Sequence, residues 1–486
     1  MDHTASALQV ETGAGRTRAA TPHLSRALGL LATTLFIVTA GSSLQWTAPA
    51  AAAGPSSLLV WLIGALVMLV PLSVCVAFLS ARYPEEGGLY VWSKRAFGPY
   101  AGFMTGWTYW TSNLPYLPVV LYFIAGGVLF WGGDGKAAVG ASPAYFVVFS
   151  LAVLLVSALL NVRGIRRASL LNGAGALARW IGTLLLIGLA LATWWRFGPA
   201  TTFDRQSLMP HPRLADVLFW STIVFSSIGP EAISLMAGEI RDPRHTIPRA
   251  LALAAPLNLG IYVFGTASLL IAVPASRTSE LYGVVDAMSS AAARLGLAWL
   301  IPVGVACVVF DRLGSACLWL GAAARLPFVA GIDHYLPPSF ARIHPHYGSP
   351  SVAIWTQALF TAVFVVLGQA GTSVSGGYRV LVDMMVAVSL LPFVPLFGSA
   401  IALSGAARER GEARIPGGRL TVVAMGSLGL ATTVTGIALA FVPAPGEEHP
   451  RTAVLKVVGV TVARLLIGSA LYLKGRARAR RLRPPC

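Results

Sequence analysis

Acidic residues are scarce in this chain, 19 of 486 beside 36 Lys and Arg, and charged types together make up only 11%. Soluble domains carry about 25%, so this composition excludes a surface that faces water on every side. Cysteine is nearly absent too: Cys75, Cys307, Cys317 and Cys486 show no metal or redox spacing, which excludes a disulfide scaffold and a cysteine-zinc module. Cys486 lacks the C-a-a-X arrangement of a prenylated terminus. Histidines gather only in "GIDHYLPPSFARIHPHYG", where His334, His344 and His346 match no recognised metal set. A membrane-embedded transferase would need a His, Asp or Cys constellation near the membrane surface, so the chain reads as no enzyme, with no cofactor and no metal.

What it has in excess is apolar residues, 56% of the total. Globular cores cannot hide that much, whereas a bilayer takes helices of about 20 apolar residues. Twelve segments suit: 28–52, 58–80, 100–130, 143–160, 176–195, 217–238, 250–273, 297–320, 352–368, 380–403, 420–442 and 454–473. The first follows some 27 mostly polar residues and has no early A-x-A exit, so it reads as a span and not as a signal peptide.

The net charge of +17 invites a nucleic-acid partner. With the amino terminus inside, however, most Lys and Arg fall on the cytoplasmic side, as the positive-inside rule requires. Both termini are then cytoplasmic in a multi-pass protein of the cell membrane, and the tail "KGRARARRLRPPC" reads as an anchor for anionic lipid. No nucleic acid is expected; the lipid bilayer is the partner, for a monomer or homodimer. Loops are short, with one helix expected to lie over the outer face near 284–295.

Two spans are interrupted. "IVTAGSSLQWTAPAAAAGPSS" places Thr39, Gly41, Ser42, Ser43 and Gln45 in mid-membrane in span one, and "VFSSIGPEAISLMAGE" does the same with Ser226, Ser227, Gly229, Pro230 and Glu231 in span six. Backbone groups left unpaired by such a break cost several kcal/mol in hydrocarbon unless protein, water or ligand satisfies them. A half-helix restarting after Ser42 and Ser43 offers N–H groups to an anion; one ending near Ser226 to Ile228 offers carbonyls to a cation. An α-amino acid carries both charges. The matching positions, five spans apart, suggest two inverted halves with a site where the breaks meet.

At these residues the chain resembles the amino acid–polyamine–organocation superfamily of permeases. "GEIRDPRHTIPRA" is similar to that family's signature after span six, "YPEEGGLYVWSKRAFGPYAGFMTGWTYW" to its loop between spans two and three, and "LPFVAGIDHYLPPSFARIHPHYGSPS" to its loop between spans eight and nine. The resemblance implies an all-α integral membrane protein with the leucine-transporter-like fold, twelve transmembrane helices in a 5+5 inverted repeat plus two. The divisions are then 1–27 (tail), 28–198 and 199–404 (repeats), 405–473 (helices eleven and twelve) and 474–486 (basic tail). It further implies secondary transport of amino acids or amines, polyamines included, by alternating access, as proton-linked symport or exchange.

Carried over, the resemblance makes Ala40, Gly41, Ser42 and Ser43 substrate contacts in span one, with Ser43, Leu44 and Gln45 departing from the family's pattern. In span six it does the same for Phe225, as an aromatic lid, and for Ser226, Ser227, Ile228 and Gly229. Glu231 falls on a proton-sensing glutamate. Burial disfavours a carboxylate's charged form, which suits proton carriage, although a structural hydrogen bond would equally account for this acid.

Other charges lie within spans. Asp311 and Arg312 in span eight each need a partner, since a charge at a helix centre costs roughly 2.5–3.5 kcal/mol; neighbouring side chains diverge by ~100°, so the two should not share one. Arg179 in span five is the candidate partner of Asp311, or else it snorkels to the cytoplasmic surface; the arrangement resembles that of family members in which a span-five lysine stands in for sodium, and an arginine, which cannot release its proton as lysine can, would be a fixed cation there. Asp383 in span ten is expected at the cavity, and Arg464 in span twelve against a partner chain or headgroup. Tyr109 and Trp110 read as core or belt aromatics, and Asn113 as facing the pathway.

Overall fold

In hydrocarbon every backbone N–H and C=O needs a partner within the protein, and an apolar run supplies them by coiling into a helix. The computed structural model describes residues 28–85, 87–131, 142–163, 165–210, 220, 222–332, 335–369, 374–405, 415–442 and 450–481. These are helical, with no strand among them beyond one bridge between Leu28 and Ile240. In chain order the helices are α1 (Leu30–Gly41), α2 (Thr47–Ala52), α3 (Ser56–Arg82), α4 (Gly88–Phe97), α5 (Pro99–Val128), α6 (Pro143–Val162) and α7 (Ile165–Phe197). After a single helical turn at Arg205–Leu208, a helical stretch at 222–226 and a 3₁₀ stretch at Pro230–Glu239 come α8 (Pro243–Ala272), α9 (Gly283–Arg294), α10 (Ile301–Ile332) and α11 (Ser351–Gln369). The rest are α12 (Val374–Ser389), α13 (Phe393–Leu403), α14 (Gly418–Ala440) and α15 (Pro450–Arg481).

Nine helices among the described residues are long and apolar enough to cross a bilayer: α3, α5, α6, α7, α8, α10, α11, α14 and α15. Their outward faces are apolar, with Trp195 93%, Leu420 79% and Leu455 72% exposed, as a lipid solvent allows and water does not. The chain is a multi-pass membrane protein.

The other three expected spans are each interrupted. Spans one and six break where the sequence indicates. Span ten, expected as one helix over 380–403, instead divides into α12 and α13 across Leu390–Pro392. Pro392 removes a backbone donor and keeps the residue before it out of the helix; Phe393 N bonds back to Leu390 O at 3.1 Å to close the turn.

Helix α10 lies in the centre, against α7 and α5, while α8 packs on α1 and α3, and α12 on α5. Small residues permit the closest of these approaches. A Cβ at Gly175 would lie 2.8 Å from Phe310 O and 3.0 Å from Gly314 Cα, so α7 and α10 meet with backbones nearly touching. Gly175 is one turn before Arg179, and Gly314 nearly one turn after Asp311, so the same contact brings these two charges together. Helix α9 is found where the short helix near 284–295 is expected, packed on α7, α8 and α10.

Candidate functional site

The first break is made by two serines. After α1 the backbone is extended at Ser42 (φ −133°, ψ 148°) and Ser43 (φ −158°, ψ 129°), then turns through Leu44–Trp46 into α2. Ser42 Oγ donates to Val38 O at 2.6 Å, and Ser43 Oγ accepts from Gln45 N at 3.2 Å, capping the restart. In the second break Gly229 takes φ +130°, a conformation open to glycine alone, and Pro230 begins the 3₁₀ stretch.

The two breaks touch. A Cβ at Gly229 would lie 2.4 Å from Gly41 Cα and 2.6 Å from Ala40 O. At the other end Arg241 N donates to Leu28 O at 2.9 Å, so the broken spans run antiparallel with their interruptions level. Tyr262 of α8 joins them: its hydroxyl lies 2.9 Å from Ser226 O and 3.2 Å from Gly41 O, with its ring stacked on Trp61 at 4.3 Å.

Arg179 ties span one to α10. Its Nε donates to Asp311 Oδ1 at 2.7 Å, its Nη2 to Ser315 Oγ at 2.9 Å, and its Nη1 to Ser42 O at 3.0 Å and to Thr39 O. The guanidinium thus fills a nest of oxygens at the carbonyl end of α1, where the helix dipole favours a cation. Asp311 is shared. Its Oδ2 accepts from Arg312 Nη2 at 2.6 Å and Nε at 3.0 Å, contrary to the expectation that side chains ~100° apart would find separate partners; long, flexible Arg312 folds back over its neighbour.

Glu231 is 2% exposed, at the start of the 3₁₀ stretch. Its Oε2 accepts from Gly229 N at 2.7 Å and its Oε1 from the Tyr109 hydroxyl at 3.1 Å. Tyr109, expected as a core or belt aromatic, is therefore a partner of the buried acid.

These groups surround a cavity of about 70 Å³, where one buried water needs roughly 10–15 Å³. Of the residues singled out from sequence, Ala40, Ser42, Ser43, Asn113, Arg179, Phe225, Ser226, Ile228, Gly229 and Glu231 line it. Gly41, Ser227 and Asp311 stand behind the wall. Phe225 meets Trp46 edge-on, ring centroids 5.3 Å apart. The side chain of Asp383 lies outside the described residues, as do the tail 1–27 and His334.

Sequence reasoning missed much of the opposite wall. Tyr109, Ser112 and Tyr116 join Asn113 on one face of α5; Arg312, Ser315 and Trp319 come from α10, Tyr262 from α8, and Ser389 and Phe393 from the third break. The signal was present as spacing. Positions 109, 112, 113 and 116 follow the i, i+3, i+4, i+7 pattern of a single helix face, and 312, 315 and 319 follow i, i+3, i+7.

Arg464 is also placed differently from the expectation of a partner chain or headgroup. Its Nε donates to Thr111 Oγ1 and its Nη2 to Thr108 O, both at 2.9 Å, while Trp107 Nε1 donates to Arg464 O at 2.9 Å. Gly468, one turn on, would place a Cβ 2.5 Å from the Trp107 ring. That close approach lets α15 bury its arginine against α5.

The sequence is similar to those of known transporters. A protein described as an uncharacterized transporter of Legionella pneumophila is 27% identical over 427 residues, covering 87% of this chain and 90% of that one. A probable agmatine/putrescine antiporter of Lactococcus lactis is 26% identical over 297 residues, 61% of this chain and 62% of its own length. A glutamate/serine transporter of Bacillus subtilis is 24% identical over 353 residues, 70% and 64% of the two. Residues 28–463 match the model of the amino acid permease family; with both breaks and all three signature stretches inside that range, the chain belongs to this family of transporters, within the amino acid–polyamine–organocation superfamily.

Proposed function

We propose that this chain moves amino acids or related amines across the cytoplasmic membrane by alternating access, coupled to protons as a symporter or operating as an exchanger. The observation that carries this reading is the meeting of two antiparallel broken spans at a cavity whose lining includes Ser42, Ser226, Arg179 and Glu231. Half-helix ends present opposite partial charges to a bound zwitterion, the arrangement by which inverted-repeat transporters hold small charged substrates. The glutamate/serine and agmatine/putrescine transporters among the similar proteins support both classes of cargo.

In this reading the chain crosses the cell membrane twelve times, with both termini cytoplasmic. Residues 28–198 and 199–404 are inverted five-helix repeats, and 405–473 supply two further helices. Ala40, Ser42 and Ser43, with Gly41 behind them, receive the carboxylate end of the substrate; Ser226, Ile228 and Gly229, backed by Ser227, shape the other end; Phe225 closes over it, and Asn113 faces it from α5. Arg179 is a fixed cation that pins span one to α10 through Asp311. Asp383 belongs to the same charge network.

Glu231 carries the proton. As a carboxylate it accepts from Gly229 N and the Tyr109 hydroxyl; protonation turns one oxygen into a donor and weakens one of those contacts, so the break and α5 both respond to the proton. In liposomes loaded with purified protein, labelled amino acids or amines should accumulate under a proton gradient or exchange with internal substrate. The Glu231→Gln variant should keep flux but lose its pH dependence. An unchanged pH response in that variant removes Glu231 from the mechanism, and no flux of any amino acid or amine overturns the reading.

A further inference from the structure

Among the described groups at the cavity, two guanidinium ions share one carboxylate. Arg179 and Arg312 both line the cavity and both pair with Asp311, Arg179 through Oδ1 and Arg312 through Oδ2. Among the described residues the acid that lines the cavity is Glu231, and it is engaged by Gly229 N and the Tyr109 hydroxyl and by neither arginine. Arg179 spends all its nitrogens on Asp311, Ser315 and the carbonyls of Thr39 and Ser42. Arg312 has no such nest: its Nε and Nη2 go to Asp311, and no bond to its Nη1 is found among the described residues. Its side chain is 3% exposed. A buried arginine cannot shed its proton, so its charge must be balanced by an anion.

The remaining ionisable side chains of α12, Arg379 and Asp383, lie outside the described set and add one charge of each sign. Carbonyls that would otherwise favour a second cation are taken: Ser226 O and Gly41 O by Tyr262, Thr39 O and Ser42 O by Arg179. The wall formed by α10 and α7 is therefore short of negative charge.

We propose that the substrate supplies it, and that the cargo is an amino acid with an acidic side chain, a net monoanion, whose side-chain carboxylate pairs with Arg312 from within the cavity. This inference rests on the transport reading above and narrows its substrate class. Arg312 is then a specificity residue. Its Nη1 edge, which no described residue engages, suits a carboxylate geometrically, since a guanidinium presents parallel N–H donors to two oxygens. A dicationic amine entering the same cavity meets two like charges in a medium of low dielectric, where like charges repel strongly.

The test compares isosteres in liposomes containing the purified full chain, measured both under an inward proton gradient and with internal counter-substrate. Labelled glutamate and aspartate should enter at least tenfold faster than glutamine and asparagine, and putrescine should not enter. In Arg312→Gln the preference should fall to less than twofold or invert, while Arg312→Lys, which keeps the charge, should retain preference for the acids. Asp311 keeps Arg179 as partner in both variants, and the wild-type comparison requires no variant at all. Glutamine or putrescine moving as fast as glutamate in the wild type overturns the inference and leaves the transport reading intact. Absence of flux with these probes while another amino acid or amine moves overturns the inference alone; absence of flux with every amino acid and amine overturns both.

Discussion

Gly229→Ala tests the contact on which the site depends. The added Cβ would stand 2.4 Å from Gly41 Cα and 2.6 Å from Ala40 O, both backbone atoms, where carbon contacts relax at roughly 3.5–4.0 Å. No rotamer change relieves this. The two breaks must separate by about 1 Å, which carries the Tyr262 hydroxyl, now 2.9 Å from Ser226 O and 3.2 Å from Gly41 O, out of reach of at least one carbonyl. A lost buried hydrogen bond costs about 1–3 kcal/mol, and an L-residue at positive φ another ~1–2 kcal/mol, so the total is about 2–5 kcal/mol. Gly54→Ala is the internal control: φ there is +98°, but a Cβ meets nothing within 4 Å, leaving only the backbone cost. Thermal unfolding of the detergent-purified variants, followed by intrinsic fluorescence, should rank wild type above Gly54→Ala and Gly54→Ala well above Gly229→Ala. Only the last should lose substrate flux in liposomes. Equal melting and equal flux in the two variants would show that the breaks do not need to touch.

Much of this contact is legible in the sequence, and the parts that are not have physical reasons. Gly229-Pro230 can be read directly, because proline cannot continue a helix and the residue before it is turned out of one; Ser42-Ser43 can be read from polarity at mid-membrane. The same logic applies to Leu391-Pro392 in span ten. There the flanking residues are apolar, so no polar cluster marks the break, and proline alone is commonly tolerated in membrane helices. The pairing of Arg179 with Asp311 follows from charge at matching depth, but its closeness depends on Gly175 facing Gly314, a relation between two helices that no local pattern contains. Arg312 illustrates the opposite failure: helix geometry separates adjacent side chains by ~100°, and only a side chain as long as arginine's overcomes that separation. Tyr109 and Tyr262 escaped because a tyrosine within a membrane span reads as core or belt until the atom beside its hydroxyl is known.

Two further consequences follow from the way donors are shared at the site. Tyr262→Phe keeps the stacking on Trp61 and removes only the hydroxyl that holds Ser226 O and Gly41 O; a loss of about 1–3 kcal/mol is expected for stranded buried carbonyls, seen as earlier thermal unfolding, and a variant that melts with the wild type would refute the bridging role. Arg179→Lys tests whether charge alone suffices at the nest. Arginine engages four acceptors there, Asp311 Oδ1, Ser315 Oγ, Ser42 O and Thr39 O, and an ammonium has three donors on a point rather than a fork. At least one acceptor is therefore abandoned. Arg179→Met, which removes the charge as well, leaves Asp311 to Arg312 and strips the carbonyl end of α1; with breaking of a buried pair costing about 3–5 kcal/mol, its folded yield should fall below that of Arg179→Lys. If sodium restored Arg179→Met flux, the guanidinium would be doing the work of an ion, and if Arg179→Lys matched the wild type in stability and flux, the four-way geometry would be incidental to a charge that any cation supplies.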